Sequence, residues 1–255
     1  MKHVSWTIRR FSPLSALLLA GVMAGCGSSN PHPTGSYERA LVYRDAGKHQ
    51  EAADAFGLFL RRSPADSLAA QAQFEKAKSY MALKEYPMAG VEYQILRQEY
   101  PTSPLVEEAM FQEGESYFLQ VGRTERDMTP GFEARDRYLS FLRTYPMSPW
   151  RPAVEERLVL ISDMVVNKQM KVIDLYRRMK KHESVAITLD RLIESERKTN
   201  LRDLLFWERA KAAERLEDAE GAAQNLERLI AEHPESAFAP RAQARLERLR
   251  SSGGA

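Results

Sequence analysis

The side chains that most often do chemistry occur in this chain, but their spacing is not that of a catalytic or metal site. A zinc site needs clustered cysteine or histidine, and the spacing of the five histidines does not provide such a cluster: His3, His32, His49, His182 and His233. Glutamates are adjacent at 107–108 and 155–156, but neighbouring positions on a helix point in diverging directions. The sequence has no glycine-rich phosphate loop and no G-x-S-x-G motif. We predict a protein that is not an enzyme and uses no metal or cofactor.

The single cysteine, Cys26, is the remaining reactive side chain. Basic residues near the N-terminus precede an apolar run over 14–24, and small residues follow it, which is typical of a secretory signal. The segment Val22-Met23-Ala24-Gly25-Cys26 resembles a bacterial lipoprotein box, in which the cysteine becomes the acylated N-terminus. We predict lipidation of Cys26. The alternative is an ordinary secretory signal with a chance cysteine near its cleavage site.

The apolar run of the signal is too short to anchor the chain as a helix, because spanning a bilayer takes roughly 20 residues. Removing residues 1–25 takes away three basic residues and leaves 34 basic against 35 acidic ones. The mature chain is therefore close to neutral, and nucleic acid is not expected as a partner. The residue after the cysteine is Gly27 and not an aspartate. By analogy with other lipoproteins, this fits transport to an outer membrane.

Any binding site has to be positioned by a repeat that is built around four prolines. In each copy an alanine is followed four residues later by a large apolar residue and eight residues after that by proline: Ala52, Phe56 and Pro64; Ala89, Tyr93 and Pro101; Ala134, Tyr138 and Pro146; Ala222, Leu226 and Pro234. This is the second half of the tetratricopeptide pattern. The alanine lets two helices approach closely, and the proline ends the second helix. The spacing predicts an all-α stack of helical hairpins.

The spacing of the prolines gives five hairpins. Pro146 and Pro234 are 88 residues apart, which leaves room for two units, and Ala186 with Ile193 keeps the spacing of a degenerate fourth one. An uninterrupted apolar period over 152–179 predicts a long helix of roughly 40 Å. Eight extra residues in the third repeat place a loop at 120–131, which is either part of a binding face or a solvated loop.

We therefore predict a tetratricopeptide-repeat superhelix of five helical hairpins with a C-terminal capping helix. Its parts are a signal peptide over 1–25, a lipidated flexible tether over 26–35, repeats one to three over 36–149, the long helix with repeats four and five and the cap over 150–250, and a disordered tail over 251–255.

The first helix of each hairpin in such a stack lines the concave face. Transferring the usual inward positions gives a groove that contains aromatic, methionine and cationic side chains: Tyr37, Leu41, Arg44, Phe74, Lys78, Met81, Phe111, Glu115 and Phe118. This surface suits an extended peptide with an apolar or aromatic end and a carboxylate. The alternative is that several of these are core residues, misassigned by one position on their helices.

A more specific resemblance is carried by the stretch from Arg126 to Arg191. It contains Arg126-Asp127, Ala134, Tyr138, Phe141, Tyr145-Pro146-Met147-Ser148-Pro149, Arg157-Leu158, Val172-Ile173-Asp174-Leu175-Tyr176 and Ala186. Together with the lipoprotein box and the five repeats, these residues resemble the BamD family, which comprises lipoproteins of the outer-membrane β-barrel assembly machine. The resemblance covers essentially the whole mature chain.

The resemblance implies a noncatalytic, lipid-anchored scaffold at the periplasmic face of the outer membrane. Its implied partners are the barrel-forming subunit BamA, other Bam lipoproteins and the C-terminal signals of unfolded outer-membrane proteins. The N-terminal repeats would bind signals and the C-terminal ones BamA, with Arg202 and Asp203 as partner contacts, because 199–203 is similar to the family's sequence. Two other interpretations stay open, an adaptor of the cell-division or peptidoglycan machinery and an enzyme of cell-wall turnover.

Overall fold

Eleven helices make up the part of the chain that the computed structural model describes, residues 30–122 and 127–252, and no strand occurs within those two ranges. The helices are α1 (Tyr37–Asp45), α2 (His49–Arg62), α3 (Ala69–Ala82), α4 (Tyr86–Glu99), α5 (Val106–Phe118), α6 (Thr129–Thr144), α7 (Arg151–Arg178), α8 (His182–Ser195), α9 (Arg202–Arg215), α10 (Ala219–Glu232) and α11 (Ala239–Ser252). The predicted all-α fold is confirmed. The predicted signal peptide over 1–25, Cys26 and the last three residues lie outside the described residues.

The helices form five successive hairpins, from α1–α2 to α9–α10, and α11 packs on α10 as the cap. Each of the four repeat prolines stands two residues beyond the end of a second helix: Pro64, Pro101, Pro146 and Pro234. Other prolines lie in the first turn of α4, α6 and α7, where a missing N–H leaves no helical hydrogen bond unmade. The prolines thus separate the second helices from the first helices that follow.

Small residues allow the close approach of the helices. Ala40 and Ala52 in the first hairpin and Ala77 and Ala89 in the second are completely buried. A Cβ atom added to Gly114 of α5 would lie 2.5 Å from a ring carbon of Tyr138 in α6. Since such a contact is far below the van der Waals distance, the third hairpin depends on this glycine.

One turn device closes hairpins one, two, four and five. The residue at the turn has a left-handed backbone, with φ of 69° at Gly47, 62° at Lys84, 58° at Lys180 and 62° at Glu217. The next N–H then donates to a carbonyl near the end of the first helix, as in Lys48 N to Tyr43 O, Glu85 N to Tyr80 O, Lys181 N to Tyr176 O and Asp218 N to Ala213 O, at 2.9–3.0 Å. The third hairpin carries the inserted loop instead.

The long helix α7 belongs to two hydrophobic cores. Val154, Leu158 and Ile161 in its first half pack with α5 and α6, whereas Val166 and Ile173 in its second half pack with α8 and the helices that follow. Of the inserted segment, Arg123, Glu125 and Arg126 lie outside the described residues, and Met128 is buried in the second of these cores. Helix α7 and the end of the inserted segment therefore join the N-terminal hairpins to the C-terminal ones.

The described half of the predicted tether, residues 30–35, contacts the first hairpin. The side-chain amide of Asn30 donates to the Arg39 carbonyl at 2.9 Å, and Arg39 donates to the His32 carbonyl at 2.9 Å. Arg62 of α2 also donates to the Thr34 carbonyl. These bonds hold residues 30–35 against α1 and α2.

Candidate functional site

The predicted groove lies along the first helices of hairpins one to three, and its residues fall into two groups. Tyr37, Leu41, Arg44, Met81 and Phe118 are partly buried, and the Lys78 side chain is 53% exposed. We call these six residues the inner face. Phe74 and Phe111 are 3% and 6% exposed and belong to the cores, so their assignment to an open groove is corrected.

Packing between helices explains where these two phenylalanines lie. Phe74 meets Tyr93 edge to face at 5.6 Å, and Phe111 stacks on Trp150 at 4.6 Å while also contacting the ring of Phe141. Neighbouring positions on a helix are separated by about 100° of rotation. An assignment that is wrong by one position along the helix therefore exchanges core and groove residues. The sequence pattern gave the helix but not its rotation.

A buried glutamate, Glu75, organises the cationic end of the inner face. Its carboxylate is 3.2 Å from an Arg44 nitrogen and 3.5 Å from the Lys78 ammonium, and it accepts a hydrogen bond from Gln71 at 3.2 Å. Lys78 also lies 5.7 Å from the centre of the Phe74 ring. Sequence reasoning missed Glu75, although its spacing from Gln71 and Lys78 places all three on one helix face.

A second polar cluster joins α5, α6 and α7 around Glu115. Arg157 donates to its carboxylate at 2.8 and 3.3 Å, and the Tyr138 hydroxyl donates to it at 2.5 Å. Burial and the neighbouring Glu115 raise the pKa of the Tyr138 hydroxyl, so this group remains a donor at neutral pH. The Arg157 guanidinium lies 5.0 Å from the Phe118 ring centre. The Arg157 guanidinium, which Glu115 holds in place, therefore packs against Phe118 at the edge of the inner face.

The two predicted partner contacts, Arg202 and Asp203, lie in a seam between α8, α9, α10 and the start of the cap. Arg202 donates to the Ile193 carbonyl at 2.9 Å and lies 5.0 Å from the Phe206 ring centre. Asp203 accepts a hydrogen bond from the Ser236 hydroxyl at 2.6 Å. Their polar atoms are engaged inside the chain instead of lying free on an open surface.

The described residues include no group of three or more histidine, cysteine, aspartate or glutamate side chains that could hold a metal ion. Over 30–122 and 127–252, no helix combines the length and the apolar character that crossing a membrane requires. The inner face presents aromatic, apolar and cationic side chains that are partly or largely exposed.

The hairpins, their left-handed turns and the capping helix define a tetratricopeptide-repeat protein. Comparison with known families agrees, since the profile of a tetratricopeptide repeat matches residues 205–236. The profile of the outer membrane lipoprotein family YfiO matches residues 30–203, and the chain belongs to that family. The chain is also similar to the outer membrane protein assembly factor BamD of Rickettsia prowazekii (strain Madrid E). The two are 22% identical over 174 residues, which cover 66% of this chain and 69% of that protein.

Proposed function

We propose that this protein is a noncatalytic, lipid-anchored scaffold for the assembly of outer-membrane β-barrel proteins. The family match over residues 30–203 is the observation that carries the proposal, and the similarity to an assembly factor supports it. The lipid on Cys26 would hold the chain at the periplasmic face of the outer membrane. Its partners would be the barrel-forming subunit BamA and other Bam lipoproteins.

Co-purification tests this role directly. The tagged protein is expected to recover a barrel-forming outer-membrane partner from detergent-solubilised envelopes. The recovery of septal proteins without a barrel protein would contradict the proposal and favour an adaptor of the cell-division machinery. Fractionation of the Cys26→Ser variant tests the anchor, because loss of the acylated cysteine should release the protein into the periplasm.

We propose that the inner face binds the C-terminal signals of unfolded outer-membrane proteins. Tyr37, Leu41, Met81 and Phe118 would contact an aromatic or apolar end, and Arg44 and Lys78 would attract the terminal carboxylate. Glu75 neutralises part of that cationic charge, so the cations would hold the peptide by a modest attraction that exchanges readily.

A peptide pair that differs only in its terminus tests this site. A labelled peptide with a free C-terminal carboxylate after an aromatic residue should bind more tightly than the same peptide amidated. The Lys78→Gln variant should reduce that difference, whereas Lys84→Gln, which removes an exposed cation at the hairpin turn, should not. Equal binding of the two peptides would contradict a carboxylate site.

We propose further that Arg202 and Asp203 shape a BamA-binding surface from within instead of touching BamA with free polar groups. The internal partners of both side chains support this role. In the Arg202→Ala variant, recovery of BamA and the melting temperature should fall together. Lost recovery at an unchanged melting temperature would show that Arg202 is itself the contact.

A further inference from the structure

The turn of the fourth hairpin carries charges that its backbone does not require. The same left-handed turn closes hairpins one, two and five with the pairs Gly47-Lys48, Lys84-Glu85 and Glu217-Asp218, which together hold two lysines and three acidic residues. The fourth hairpin instead reads Arg177-Arg178-Met179-Lys180-Lys181. Lys180 occupies a backbone region that favours glycine, so local geometry does not explain this cluster of cations.

Most of these cations are unpaired. Arg177 is engaged, with Asp174 at 3.0 Å and with Glu208. Arg178, Lys180 and Lys181 are exposed, as is Arg215 at the end of α9, and none of these four is in an ion pair with the described part of the chain. Four exposed cations without an ion pair in the described residues thus lie where hairpins four and five turn, although residues 26–255 hold 34 basic against 35 acidic side chains.

Apolar side chains lie among the free cations. Met179 at the turn is 51% exposed and Leu216 is 37% exposed. Leu216 lies beside the turn, because the two share a shallow hollow of about 340 Å³ whose lining residues are Lys180, Lys181, His182, Glu183, Ser184 and Leu216. We define the tip patch as Arg178, Met179, Lys180, Lys181, Arg215 and Leu216. The patch lies at the C-terminal ends of α7 and α9, which end at Arg178 and Arg215.

We propose that the tip patch binds the surface of an anionic phospholipid bilayer. Lysine and arginine are attracted to phosphate headgroups, and exposed methionine and leucine can enter the boundary between headgroups and acyl chains. Interleaved cations and apolar side chains at a turn suit a lipid surface, because phosphate headgroups attract the cations and the acyl-chain boundary takes up the apolar side chains. Stable membrane attachment commonly takes two signals, and this contact would add a second one to a lipid anchor.

Vesicle sedimentation tests the proposal on the mature chain that begins at residue 26, with Cys26→Ser so that no anchor contributes. We expect binding to phosphatidylcholine vesicles that contain phosphatidylglycerol and not to phosphatidylcholine alone. Each cation near an anionic surface strengthens partitioning by about fivefold. The triple variant Arg178→Gln, Lys180→Gln, Lys181→Gln should therefore lower partitioning by about 100-fold. Wild-type binding should also weaken as salt increases.

A matched triple variant separates a local patch from overall charge. Lys48→Gln, Lys84→Gln and Arg143→Gln remove the same charge from exposed positions, two of them at equivalent turns. This control should change partitioning by less than about twofold, since distant charges are screened. Equal losses in the two triple variants would overturn the proposal.

The proposal would also be overturned if the tip patch bound a labelled glutamate-rich peptide and did not bind vesicles, which would assign the patch to a protein partner. If the tip triple variant melted early, Lys181→Gln alone should still weaken binding about fivefold.

Discussion

Arg44 in the first hairpin and Arg202 in the fifth hairpin have different surroundings. Arg44 on α1 is 34% exposed and pairs with Glu75 at the edge of the inner face. Arg202 on α9 is 15% exposed, and it bonds to a carbonyl while packing on Phe206, whose ring also lies 4.4 Å from the Arg228 guanidinium. Arg44 therefore stays partly exposed at the edge of the inner face, whereas Arg202 links α8, α9 and α10.

Two glutamates extend the comparison to electrostatics. Glu113 on α5 is 2% exposed, and burial raises its carboxyl pKa despite pairs with Arg97 and Arg137 at 3.3 and 3.0 Å. The Glu232 side chain on α10 is 40% exposed. Its partial burial raises the carboxyl pKa, but hydrogen bonds from Arg228 and Arg202 outweigh this effect and lower the pKa. The burial of Glu113 therefore costs stability, whereas the ion pairs of Glu232 add to it.

The largest effects should be alike at both ends, because both hairpin cores depend on a buried phenylalanine. Phe56 and Phe206 are completely buried. Each change to alanine should lower the free energy of unfolding by about 3–5 kcal/mol, measured by urea denaturation. Leu139→Ala at an exposed position is the control and should cost less than about 1 kcal/mol. A loss below that for Phe56→Ala would place its side chain outside the core.

The arginines should separate the two ends at intermediate magnitude. Arg202→Ala removes a hydrogen bond to a carbonyl, an ion pair and a ring contact, and should cost about 2 kcal/mol of stability. Arg44→Ala should cost about 1 kcal/mol or less, because Lys78 and Gln71 still contact Glu75. Urea denaturation gives both values, with Arg191→Ala at an exposed position as the control. Equal losses of stability in the two variants would contradict the distinction between the partly exposed Arg44 and the internally bonded Arg202.

The two glutamates should respond to pH with opposite signs. Because the folded pKa of Glu113 is raised, its contribution is most favourable below the unfolded pKa and is lost as pH rises through the folded pKa. Glu232 has a lowered folded pKa, so its contribution is present above the unfolded pKa and is lost as pH falls through the folded one.

Carboxyl ¹³C shifts followed from acid to neutral pH should place the Glu113 midpoint above the ordinary glutamate value and the Glu232 midpoint below it. The stability effect at Glu232 should be only a few tenths of a kcal/mol, since solvent screens an exposed pair. A common midpoint for the two carboxyl groups would contradict the contrast.

The smallest effects concern the turns, where the two ends should again agree. Lys84 and Glu217 have φ of 62°, a region that glycine adopts without steric cost. Lys84→Gly and Glu217→Gly should each stabilise the chain by about 0.5 kcal/mol, partly offset by the freedom that glycine adds to the unfolded chain. Thermal melting measures the gain, and Lys48→Gly, one residue after a turn glycine, is the control. Destabilisation by both turn variants would mean that their side chains contribute contacts which outweigh the strain.

The sequence by itself determined the helices and their order. Alanine, a bulky residue and proline recur at fixed spacing, and each of these acts locally, by allowing close approach, filling space or ending a helix. The long helix followed in the same way from an unbroken apolar period. Even the degenerate fourth hairpin, which lacks its proline, was indicated by the spacing that remained.

The tertiary structure alone decided which side of each helix is available. Phe74 and Phe111 lie in the cores, Arg202 bonds to a carbonyl inside the chain, and Glu75 pairs with the cations of the inner face. These outcomes depend on the rotation of one helix against its neighbours. Spacing along a chain fixes a helical period but leaves that rotation open by tens of degrees. Packing between hairpins removes this freedom, since rings and small residues can interdigitate in few ways.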